Sequence, residues 1–183
     1  ISGPDGKPDG EINDYDRTVI GNPYARYEFS LNLGTEWKGF DFTMFLQGVG
    51  KRDILYTGYG ARPFYVGRTI FKNQLDYWTP ENRNAEFPLL LIDGSGNNPN
   101  NIVSDFWIKS GAYLRMKNLV VGYTLPKKVL GRMHIDNLRF YASAQNLFTI
   151  CSAYKGYDPE NSVNGGSFYP VMQTFTFGVD VRF

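Results

Sequence analysis

The chain is poor in the residues that most reactive sites need. It has one cysteine, Cys151, so no disulfide can form within it, and one histidine, His134, so no multi-histidine metal site can form either. A Ser-His-Asp arrangement would rest on His134 alone. That residue falls in a turn far along the chain's topology from Cys151, which speaks against a Cys-His pair. Gly48-Val49-Gly50-Lys51 lacks the upstream glycine and the following Ser or Thr of a phosphate-binding loop. An excess of one charge is missing too: 19 Lys and Arg stand against 18 Asp and Glu, a net charge of +1. This argues against a nucleic-acid arm or a polybasic membrane tether. No apolar run approaches the roughly 20 residues of a membrane-crossing helix. Nothing at the start resembles a signal peptide, and the numbering is read as beginning inside a longer chain. An enzyme is not expected.

Aromatic residues, by contrast, are abundant at 16%, alongside 20 glycines and 10 prolines. Aromatics favour strands, and glycine and proline punctuate turns, so the composition predicts an all-β chain with long connections. Strict alternation runs from Tyr24: Ala25, Tyr27, Phe29, Leu31 and Leu33 share one face, and Arg26, Glu28, Ser30 and Asn32 the other. After Trp37 the pair Lys38-Gly39 predicts a tight turn into Phe40, Phe42, Met44 and Leu46. A third strand begins at Tyr113 and loses its alternation at Leu119-Val120-Val121, where a bulge is expected that restores Tyr123 to the apolar face. A fourth places Leu138, Phe140, Ala142, Ala144 and Phe148 together. The last alternates Phe175, Phe177, Val179, Val181 and Phe183 to the final residue.

These strands predict hairpins over 24–49 and 113–148 and a last strand over 173–183. Longer segments fall at 1–23, 50–112 and 149–172. Short and long connections in alternation are the pattern of a transmembrane β-barrel, with tight turns on the periplasmic side and long loops outside. Trp37, Phe40 and Phe183 sit at strand ends, where interfacial girdles belong. A water-soluble β-sandwich alternates as well, and stands beside the barrel as a glycan-binding alternative; a surface adhesin barrel is a third. About five strands cannot close a barrel, so in the barrel reading the remainder must come from elsewhere.

Several motifs are similar to the late barrel of SusC/RagA-type TonB-dependent transporters. They are Asp5 to Gly21, Trp37 to Asp41, Tyr77-Trp78-Thr79-Pro80-Glu81-Asn82, Tyr113 to Asn118, Gly122 to Pro126, Gln145 to Phe148, Gly156 to Glu160, and Tyr169-Pro170 with Thr174 to Gly178. The resemblance implies the C-terminal strands of an outer-membrane barrel of about 22 strands. It implies import of oligosaccharides or oligopeptides with a SusD-like surface lipoprotein as lid, and energy from TonB through a box and plug not expected within these residues. The partners implied are that lipoprotein, TonB, outer-membrane lipid and the solute, with no nucleic acid and no required cofactor.

Asp5, Asp9, Gly10 and Asp16 match the first, fifth, sixth and twelfth positions of an EF-hand-like loop, so calcium is possible. Lys7 occupies the third position, where an oxygen ligand belongs, and Asp16 replaces the bidentate Glu; a plain polar turn is favoured. Tyr56, Tyr59, Phe64 and Tyr65 are candidates to stack on solute or pack on a partner. Trp78 and Tyr157 lie in patterned motifs and are read as structural. Arg26, Glu28, Arg115, Lys117, Arg139, Asp180 and Arg182 are expected on the polar face as a hydrated wall with mutual ion pairs. The resemblance also implies that Phe183 is a C-terminal aromatic signal for barrel assembly.

Overall fold

The computed structural model describes residues 3–58, 62–64, 69–92, 100, 102–131, 134–152, 157–161, 169 and 171–183. Among these residues eight strands form: β1 (Tyr27–Trp37), β2 (Phe40–Gly50), β3 (Asp53–Leu55), β4 (Ile108–Ser110), β5 (Tyr113–Thr124), β6 (Asn137–Gln145), β7 (Thr149–Cys151) and β8 (Thr174–Arg182). The long ones make one antiparallel sheet in the order β1-β2-β5-β6-β8, with β7 beside β5, while β3 and β4 pair as a separate two-stranded sheet. The two edges of the large sheet are β1 and β8.

Lys38 and Gly39 both take positive φ, 48° and 88°, as a two-residue turn matching the twist of its strands requires. Gly39 also has no room for a side chain, because a Cβ there would stand 2.7 Å from the Thr124 carbonyl oxygen. This turn, the β5–β6 connection with its short helix α1 (Lys127–Leu130), and the last residues of β8 share one end of the sheet. The segments after β2 and β7 leave from the other end.

Register sorts the side chains into two faces. Leu33, Met44, Leu119, Ala144 and Phe175 stand side by side across five strands. Nearer the turn end, Trp37, Phe40, Tyr123 and Phe140 form a second row that continues to Val179. The rings of Phe40 and Tyr123 lie 4.5 Å apart. No second layer of described residues covers this face: Leu33 is 44% exposed, Phe140 46% and Phe175 59%. A large uncovered apolar surface is the informative exception in a folded chain.

The bulge sits elsewhere than the sequence suggests. Phe45 pairs with Asn118 and Leu46 with Met116, so Lys117 is the extra residue and Leu119-Val120-Val121 alternates regularly. Tyr123 reaches the apolar face, as expected, because the shift has occurred already. β6 stops at Gln145, leaving Phe148 outside the run in which alternation placed it. Asn146 takes φ 52° and donates to the Lys117 carbonyl, and Leu147 donates to that of Met116, so the chain steps past the bulge before resuming as β7.

The 50–112 segment has its own small core. Ile54, Tyr56, Phe87 and Trp107 are buried together, with Tyr77, Phe106 and Tyr157 packed against them. Two residues link β2 to β3, and two link β4 to β5.

Candidate functional site

The face opposite the apolar rows carries the charge, and two networks organise it. Near the turn end, the Arg139 guanidinium donates from Nε and Nη2 to the two carboxylate oxygens of Asp41, at 2.8 and 2.6 Å, and from Nη1 to Asp180 at 2.9 Å. A fork matched to a carboxylate in this way fixes geometry as well as charge. The neighbouring strand position is Gly122, whose missing side chain leaves the space these groups occupy. One strand over, Gly178 lies beneath the Tyr141 ring in the same manner.

Near the loop end lies the second network. Arg115, 2% exposed, donates from Nε to Thr149 Oγ1 at 2.7 Å, from Nη1 to Glu160 Oε2 at 2.8 Å and from Nη2 to Asp158 Oδ2 at 2.6 Å. Lys117, carried inward by the bulge, pairs with Glu160 at 2.6 Å. The Glu160 backbone N–H donates to Asp158 Oδ1 at 2.9 Å, which holds the Asp158 carboxylate against its own turn. Arg115, Asn146, Thr149, Asp158, Val171, Met172 and Gln173 line a cavity of about 400 Å³ beside this cluster.

Tyr56 has no exposed surface; its ring meets that of Tyr157 edge-on at 5.1 Å. Burial raises the pKa of the Tyr157 phenol above the usual 10.0. Phe64 is half-buried at φ 53°, and Tyr59 and Tyr65 lie outside the described residues. Trp107 is 1% exposed, and its indole N–H donates to the Asn100 carbonyl at 3.0 Å. The Tyr77–Asn82 motif is a braced turn: the Asp76 carboxylate accepts from the Asn82 side chain at 2.9 Å and from the Glu86 N–H at 3.1 Å, while the Trp78 N–H donates to the Phe87 carbonyl at 2.8 Å and the Phe87 N–H to the Asp76 carbonyl at 2.9 Å.

The candidate calcium residues serve their own turn. Asp5 and Asp9 each accept from the backbone N–H two residues on, at 3.0 Å, and Asp16 accepts from the Asn13 N–H at 2.9 Å. Among the described residues no three His, Cys, Asp or Glu side chains converge as a metal site. Phe183 is 85% exposed just beyond β8.

Of the charged residues expected on the polar face, Arg115, Lys117, Arg139 and Asp180 join the two networks, while Glu28 and Arg182 lie on the outermost strands. Asp41, Thr149, Asp158 and Glu160 complete the networks and were not singled out as their partners from the sequence. The Asp158-Pro159-Glu160 spacing is visible there, but nothing in it points to a residue some forty positions upstream.

No protein-family model matches the chain. Over 192 residues, taking in 95% of this chain, it is 31% identical to TonB-dependent receptor P3 of Formosa agariphila, and it spans 18% of that relative's length. Among solved structures, the RagAB peptide importer in its open-open state matches with a TM-score of 0.62 and 26% identity, over 85% of this chain and 17% of that one. The closed-closed state matches with a TM-score of 0.68 and 23% identity, over 99% and 20%, a likeness of fold alone. The antiparallel sheet aligns with part of that importer.

Proposed function

We propose, from the premise that this chain is homologous to the TonB-dependent receptors, that it forms late strands of the outer-membrane β-barrel of an active transporter. In this reading β1 and β8 pair with strands contributed by other residues, which removes both open edges. The apolar rows meet lipid and the charged face lines the lumen. The observation that carries the reading is the five-strand apolar face that no second layer of described residues covers. A soluble sandwich would bury that face against a second sheet.

The solute is an oligosaccharide or oligopeptide; the likeness to a peptide importer favours the oligopeptide. A SusD-like surface lipoprotein closes the loop end, and TonB supplies energy through residues other than these. The chain's part is structural, wall and loops, with no enzymatic step. Affinity purification of the full chain from outer membranes tests this. Detergent dependence, a co-purifying lipoprotein and uptake of labelled oligopeptides are expected. Monodisperse protein in plain buffer, without a lipoprotein, would overturn it.

Phe183, exposed just past β8, is proposed as an aromatic that the assembly machinery recognises. Its deletion is expected to lower the amount of heat-modifiable barrel in the membrane; an unchanged amount would refute that role.

A further inference from the structure

Among the described residues the small β3–β4 lobe joins the wall through the paired links Lys51-Arg52 and Gly111-Ala112. It is also held by the lead-in to β1, where the Asn22 N–H donates to Asp53 Oδ2 and the Asp53 N–H to the Asn22 carbonyl, both at 2.9 Å, and by the chain that braces these links. Lys51 takes φ 44°, the left-handed region that turns a strand sharply. Gly111 meets the Ile54 side chain so closely that a Cβ would stand 2.5 Å from Cγ1, and its N–H donates to the Arg52 carbonyl at 2.7 Å. This is a bend with small cross-section, of the kind that serves as a hinge.

A strap crosses it. Residues 157–161 are fixed to the wall at one side, where Asp158 and Glu160 receive the Arg115 fork and Lys117. At the other side Tyr157 packs against Tyr56 in the lobe core. In between, Arg52, at the bend itself, donates from Nη1 to the Pro159 carbonyl and from Nε to the Pro23 carbonyl, both at 3.2 Å. The strap therefore ties wall, bend and lobe together, beside the 22–26 lead-in to β1, which holds the bend at Lys51 and Asp53. Arg115, buried and committed to three acceptors, is its fixed point.

We propose that the 157–161 strap is a brace that sets the angle of the β3–β4 lobe on the wall, with Arg115 as its positioning residue. Releasing the carboxylates from Arg115 frees the lobe to swing about residues 51–52 and 111–112 while the wall keeps its register. Removing one partner of a buried ion pair is costly enough to break such a clamp.

The test uses the full chain in detergent, with Cys151→Ser as background and spin labels at Asn32→Cys on β1 and Leu55→Cys on β3. The parent is expected to give a narrow interspin distance distribution. Arg115→Met, and independently Asp158→Asn with Glu160→Gln, are expected to broaden and shift it, while a second label pair within β1 and β2 stays unchanged. The double variant leaves β5 intact and decides the matter where Arg115→Met does not assemble. Unchanged widths overturn the proposal. Broadening of both label pairs, or loss of the assembled double variant, does so too, since the clamp would then be holding the wall itself. These distances are read without any transport assay.

Discussion

Gly122 lies directly beneath the Arg139 guanidinium: a Cβ at that position would stand 2.6 Å from Nε and 2.7 Å from Nη2. The absence of a side chain on β5 is thus what allows an arginine on β6 to reach Asp41 on β2 across the intervening strand. Gly122→Ala forces the fork off its carboxylate, at a cost of about 1–3 kcal/mol for overpacking. The midpoint of heat-modifiability of the full chain is expected to fall. Arg139→Ala should remove most of the additional effect of Gly122→Ala, because the two act on one contact; additive losses would contradict the assignment.

Trp107 anchors the lobe core, with Phe106 edge-on at 4.8 Å and Ile54, Tyr56 and Phe87 around it. Trp107→Ala is expected to cost the lobe ~3–5 kcal/mol, as for other buried large aromatics. Hydrogen exchange should rise sharply over 53–58 and 105–110 and stay unchanged in β1, β2 and β6. Uniform acceleration through the wall strands would show that the lobe core is not a separate unit.

Much of the wall was legible in the sequence and little of the lobe, for a physical reason. A strand with one apolar and one polar face must alternate, so β1, β2, β6 and β8 announce themselves, and Lys38-Gly39 announces the turn. The bulge was misplaced because alternation broken between Met116 and Leu119 can be mended at more than one residue; the partner strand's register decides, and Phe45 opposite Asn118 selects Lys117. Tyr56 and Trp107 read the same in sequence whether a loop presents them or folds around them. The Arg115 clamp joins residues more than forty apart, beyond any local pattern.

The buried Tyr157 phenol gives the strap a pH dependence. Its folded pKa is raised above 10.0 by burial. The unfolded or released form therefore ionises first. The stability that the neutral ring contributes is complete below pH 10.0 and is lost as pH rises through the raised value. Proteolysis of the 157–161 strap is expected to increase over that alkaline range, and Tyr157→Phe should remove this component. An increase of equal size in Tyr157→Phe would assign it to another group.

The uncovered apolar face is tested most directly by single-cysteine labelling along an edge strand, in the Cys151→Ser background, in the membrane. Environment-sensitive probes at Phe29, Leu31 and Leu33 are expected to be quenched by lipid-borne quenchers, and those at Ser30 and Asn32 by water-soluble ones, in strict alternation. Probes at Phe29, Leu31 and Leu33 shielded from both quenchers would place a second protein layer on this face and contradict the barrel wall.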